Sequence, residues 1–176
     1  MATSTSFHEL LGVDVGQLDP DTEFDFLASQ LGELLIEQVV PEEIELYPEL
    51  IESHRSSTKI ASRKVDHPLA FGVGELAAAL SPLIYEVAKV VIRFLIEEIN
   101  EVLKKTAEDI AKQKILDWIH RRLSGPPPVE LSSEKVNTFM ATLRDELKES
   151  KITEDEENRI LASVDSMLKH RQNLTE

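Results

Sequence analysis

The run Val90-Val91-Ile92-Arg93-Phe94-Leu95-Ile96 is apolar at every position except Arg93, and it constrains the fold more than any other feature of the chain. At about 3.6 residues per turn these side chains surround a helix instead of forming a stripe along it. A helix that is apolar on all sides must be enclosed by other elements. The rest of the sequence offers helices for that purpose and no alternating strand pattern of useful length. The expected fold is therefore all-α, a helical bundle built on a long apolar core helix at about residues 82–123. An acidic N-terminal helical arm and a C-terminal αα-hairpin are expected to flank it. A chain of 176 residues that is 41% hydrophobic and 30% charged can fill one ordinary core, so most of it should fold.

The helix signals are local and follow the chain in order. Ser6-Phe7-His8-Glu9 has the S-x-x-E form of a capping box, and Gly12 would end that short helix. Asp19 can cap the next helix, with Pro20 at its first position and Asp21 and Glu23 at the favourable end of its dipole. Phe24, Leu27, Leu31, Leu34 and Leu35 recur at three- and four-residue spacing, which predicts one buried face running to about Gln38. Pro41 and Pro48 predict short, broken helices through Glu52. Arg55 to Pro68 has four bases and little apolar periodicity, and reads as a flexible linker.

Pro82, after Ser81, fits the first turn of the core helix. Beyond Glu97 the apolar positions narrow to Ile99, Val102, Leu103, Ala107, Ile110, Ile115 and Ile119, with Glu101/Lys105 and Glu108/Lys112 expected as pairs on the wet face. This stretch is either one helix of about 60 Å or two helices with a break near Thr106. Gly125-Pro126-Pro127-Pro128 ends it as a stiff spacer. Val136, Phe139, Met140, Leu143 and Leu147 form one later stripe, and Ile160, Leu161, Val164, Met167 and Leu168 another. Thr153-Glu154-Asp155-Glu156 between them is a second capping box, so residues 132–172 read as a helical hairpin. The expected organisation is an acidic arm at 1–54, a basic linker at 55–68, apolar core helices at 69–124, a proline-rich spacer at 125–131 and a hairpin at 132–176.

The charge layout carries most of what the sequence says about function. Thirteen carboxylates and no Lys or Arg lie between Met1 and His54, nearly the whole of the net charge of −14. Such a block repels nucleic acid and points to a cationic protein partner, or to a basic patch of the same fold. Phe24, Leu27, Leu31 and Leu34 are then the candidate apolar contacts, with Glu42, Glu45, Glu49 and Glu52 meeting Lys and Arg around them. The chain has no cysteine and no basic, apolar leader, which leads to a cytoplasmic expectation.

Residue patterns that could carry chemistry occur only as isolated fragments. Gly72-Val73-Gly74-Glu75-Leu76-Ala77 has the relaxed spacing of a dinucleotide-binding turn but lacks a preceding strand. Asp117 and His120 share a helical face, yet Asp117 is better placed to pair with Arg121. Glu42, Glu45, Glu49 and Glu52 could hold a hard cation, but Pro48 disturbs the face they would share. Phe7-His8-Glu9-Leu10-Leu11-Gly12-Val13-Asp14 resembles the opening helix of a J-domain cochaperone over those eight residues. The following helix is acidic rather than basic, and His67-Pro68 is followed by Leu69 where that family has Asp, so no function is carried over. No catalytic residue, cofactor site or metal site is assigned, and an enzyme is not expected.

The first expectation is a non-enzymatic adaptor or oligomerisation protein that uses its acidic amphipathic N-terminal segment to bind a basic or apolar groove of a protein partner, or its own core. The alternative is a membrane-active effector in which residues 76–99 insert and Trp118, Arg121 and Arg122 lie at the lipid interface. A second alternative is an acidic inhibitor that imitates nucleic acid.

Overall fold

The computed structural model describes residues 20–61, 79–103 and 108–169. Among them are six α-helices and no strand: α1 (Pro20–Val39), α2 (Tyr47–Ala61), α3 (Ser81–Val102), α4 (Glu108–His120), α5 (Ser133–Lys148) and α6 (Glu154–Leu168). One 3-10 turn, Pro41–Glu43, lies between α1 and α2. The protein is an all-α helical bundle. The Ser6 and Asp19 caps, the glycine pair at 72–74 and the J-domain-like segment lie outside the described residues.

Helix α3 is the enclosed element that its composition requires. Leu83, Ile84, Val87, Ala88, Val91, Ile92, Leu95 and Ile99 are all buried. Helices α1, α2 and α4 pack directly against it. Its remaining aromatic, Phe94, stacks on Phe139 of α5 with ring centroids 4.3 Å apart. Arg93, the interruption in the run, is exposed and lies over the ring of Phe24 at 5.5 Å. Even the interruption therefore covers an aromatic face, through a cation–π contact.

The acidic N-terminal segment is not an arm over residues 20–54. Leu27, Ala28, Leu31, Leu35 and Ile36 of α1 are essentially inaccessible to water, and Phe24 and Leu34 are packed against the same core. Besides α3, helix α1 touches α2, α4 and α6. A stripe of this kind suits a partner's groove and an internal contact equally well, and α3 supplies the internal one.

Residues 82–123 form two helices that pack on each other, so the single long helix is excluded. Doubling back lets α4 cover α1 as well as α3. It also takes Lys112 off the wet face expected for it: Lys112 is 2% exposed and pairs at 3.3 Å with Glu23 of α1. Both charges of this pair sit in the interior, so removing either partner destabilises the contact between α1 and α4. Helix α2 likewise extends through Ala61, into the stretch that reads as a linker. Pro48 is its second residue, where no amide hydrogen is needed, and Ile51 and His54 face inward. Arg55 reaches back to Asp25 of α1 at 3.1 Å.

The hairpin follows the sequence closely. Ser132 caps α5 through the amide of Lys135, and Thr153 and Glu156 form a complete capping box at α6. The spacer before it is not free of the core, since Val129 is buried.

Two tyrosines fasten the first three helices together. Tyr47 Oη donates to the carbonyl of Ser29 at 3.0 Å. Its ring passes so close to α1 that a Cβ at Gly32 would lie 2.1 Å from the hydroxyl, which is why this mid-helix position is glycine. Tyr85 Oη donates to Asp25 at 3.1 Å. Burial raises the pKa of both phenols well above the usual value, and Asp25 adds to the rise at Tyr85, as Glu33 does at Tyr47. Unfolded phenols ionise near about pH 10, so stability is complete below that pH and falls as pH rises above it, by about 1.4 kcal/mol per pH unit for each tyrosine. The denaturation midpoint should therefore drop between about pH 10 and 12, with phenolate absorbance appearing only on unfolding. Tyr47→Phe and Tyr85→Phe should each flatten that drop.

Candidate functional site

The segment from Pro41 to Glu52 turns the chain from α1 into α2 and sorts its side chains by direction. Glu43 N donates to the Val40 carbonyl at 3.0 Å, Leu46 N to Glu43 O at 3.0 Å, and Leu50 N to Leu46 O at 2.9 Å. This succession of tight turns carries Ile44, Tyr47 and Ile51 to the core side at three- and four-residue spacing. The residues between them are left outside. Glu42, Glu45, Glu49 and Glu52 are all exposed, and Leu46 stands among them with 54% of its surface accessible.

Glu45, Glu49 and Glu52 make no ion pair among the described residues, and Glu42 contributes only a background field at Arg159. The result is an apolar knob in a ridge of exposed carboxylates. The carboxylates lie on the surface, as their sequence implies, but the apolar residues expected beside them do not stand among them. Leu27 and Leu31 are inside the bundle, Phe24 and Leu34 are partly buried against the same core, and the accessible apolar residue beside the carboxylates is Leu46. Its signal was present in the sequence: the apolar periodicity that buries Ile44, Tyr47 and Ile51 skips Leu46.

Glu43, which lies within the same segment, has a different role. Its carboxylate accepts from the amides of Leu80 at 2.9 Å and Ser81 at 2.8 Å, and from Ser81 Oγ at 2.5 Å. These bonds cap the start of α3 from 37 and 38 residues away. Helix α3 has no acidic residue in its own first turn and no cap from its own N-cap side chain. A carboxylate there satisfies otherwise orphaned amides and complements the helix dipole.

Further along α2 a polar cluster joins α1, α2 and α3. His54 Nε2 lies 2.9 Å from Glu86 Oε1, and Lys89 is 3.5 Å from the other oxygen of Glu86. The His54 ring meets Tyr85 edge-on at 6.2 Å, and Lys89 lies 5.6 Å from the centroid of the same ring. Arg55, Asp25 and Tyr85 complete the cluster. An imidazole against a carboxylate can exchange a proton. Here both groups are buried, and the pair fixes α2 to α3.

The remaining candidates are dispersed. Asp117 accepts from Gln113 through its carboxylate, and Arg121 donates to the Asp117 carbonyl at 3.3 Å instead of pairing with its side chain. No group of three or more His, Cys, Asp or Glu residues that could hold a metal ion occurs among the described residues. Trp118, expected at a lipid interface, is 0% exposed in the core, because α4 turns this face towards α1 and α3. Arg121 and Arg122 are exposed, and Arg122 is ion-paired with Glu37 of α1. No helix among the described residues is long and apolar enough to cross a membrane.

A groove of 590 Å³ lies between α3 and α5, with Val90, Phe94 and Phe139 on its apolar side. Lys135 bridges Glu98 at 2.6 Å and Glu101 at 2.8 Å beside it, and hydrogen bonds to Glu101 and Glu98 raise its pKa. No protein-family model matches the chain, and comparison with curated proteins and with solved structures finds no significant similarity.

Glu43 and its neighbours should separate cleanly by mutation. Glu43→Ala should cost about 1–3 kcal/mol in urea denaturation, because buried amides lose a charged acceptor. Glu45→Ala, on the free ridge, should change stability by less than about 0.5 kcal/mol.

Proposed function

We propose that the protein is a non-enzymatic helical interaction protein whose ridge at Glu42, Glu45, Leu46, Glu49 and Glu52 binds a basic protein partner with a small apolar recess. The observation that carries this reading is the exposed Leu46 among carboxylates that make no ion pair among the described residues. An isolated exposed leucine is ordinary, and a run of surface carboxylates is ordinary too. Together on one rigid turn they provide an anchor and a charged rim, the arrangement in which burial supplies affinity while charge sets encounter rate and partner choice. The helical scaffold behind them is held by the Glu43 cap and by Tyr47, so the ridge is preorganised.

A cationic amphipathic helical peptide with a Leu stripe between Lys residues is a suitable probe, followed by fluorescence anisotropy. The full chain should bind it at low ionic strength and lose affinity steeply as salt rises. Leu46→Ala, and separately Gln at positions 42, 45, 49 and 52, should each weaken binding by about tenfold. Neutralising four carboxylates on α5 and α6 should leave binding nearly unchanged. Equal losses from the two sets of four would mean that binding follows total charge, and the reading would be wrong.

A further inference from the structure

Arg121-Arg122 is the only adjacent pair of cations among the described residues, and Ser124 follows one residue after it. All three are exposed. They close helix α4: the amide of Arg122 donates to the Ile119 carbonyl at 2.8 Å and that of Leu123 to the Trp118 carbonyl at 3.1 Å. That helix ending calls for a left-handed residue, normally glycine. Here Arg122 takes φ 53° and Leu123 φ 59°. Two non-glycine residues in this region are strained, so opening the turn recovers energy that an ordinary helix end does not hold. Gly125 and the three prolines after it cannot continue the helix, and the Ser124 hydroxyl makes no hydrogen bond among the described residues.

We propose that Ser124 is a phosphorylation site for a serine kinase that reads arginines two and three positions before its acceptor. Such an enzyme must hold the segment extended and meet both guanidinium groups with carboxylates, and a strained, exposed turn can be extended at low cost. Ser124 Oγ attacks the γ-phosphorus of magnesium-bound ATP and forms the new O–P bond. The bond between that phosphorus and the β,γ-bridging oxygen breaks, ADP leaves, and the hydroxyl proton passes to the kinase's base. The product carries about −1.5 to −2 charge two residues from Arg122. Arg122 now pairs with the single charge of Glu37, across from α4 to α1. The phosphate outcompetes that carboxylate and removes the exposed tie between the two helices. This assignment is independent of the ridge on α2.

The test incubates the full chain with magnesium ATP and a purified kinase of this arginine-directed specificity, read by intact mass and fragment mapping. One phosphate on Ser124 is expected, with none on Ser124→Ala. Arg121→Ala and Arg122→Ala should each slow incorporation by about tenfold or more, each having lost a charge-assisted contact. No incorporation into the folded wild-type chain would overturn the proposal. So would phosphate retained by Ser124→Ala, or arginine variants modified as fast as the wild type.

Discussion

Helix α3 carries apolar residues all round its 90–96 stretch except at Arg93, and the arrangement of the other helices follows from the need to enclose that stretch. Helix α1 brings its Leu27, Leu31 and Leu35 stripe to one side, α4 doubles back across another, and α2 closes a third. Phe139 of α5 covers the last aromatic. No single helix is wide enough to do this, which is why the acidic N-terminal segment is recruited into the core. Its negative charge is accommodated by dividing it. Glu23, Asp25, Glu37 and Glu43 are engaged by Lys112, Arg55, Arg122 and the start of α3 respectively, and the rest of its described carboxylates remain towards water.

Much of this was legible in the sequence because the signals act within a helical turn. The start of α1 at Pro20, the first turn of α3 at Ser81-Pro82 and the Thr153–Glu156 box all depend on residues no more than four apart. The features that escaped depend on topology. Glu43 caps a helix that begins 37 residues later, and Lys112 meets Glu23 across 89 residues. Neither pairing has a local trace. Arg55 looks like part of a linker because its partner, Asp25, is 30 residues away. Trp118 has a polar edge that suggests an interface, yet the return of α4 buries it whole.

The candidate interaction surface shows the same division. That Glu42, Glu45, Glu49 and Glu52 face water could be read from composition. That Leu46, and not the α1 stripe, accompanies them depends on where the 3-10 turn directs each side chain. The ridge and the cap at Glu43 share one short segment, so the exposed carboxylates and Leu46 are held in place by the contact that starts the central helix. At the far end of α4, the strained turn at Arg122 and Leu123 lies where α4 is tied to α1.

The central claim is that α1 belongs to the core that encloses α3. Native-state hydrogen exchange on the full chain tests it most directly, comparing amides from Leu27 to Leu35 with those from Val87 to Leu95. If α1 is part of the enclosure, both sets exchange only through the same global unfolding, with one free energy and one denaturant dependence. Exchange of the α1 amides by a low-energy local opening, while α3 stays protected, would contradict it.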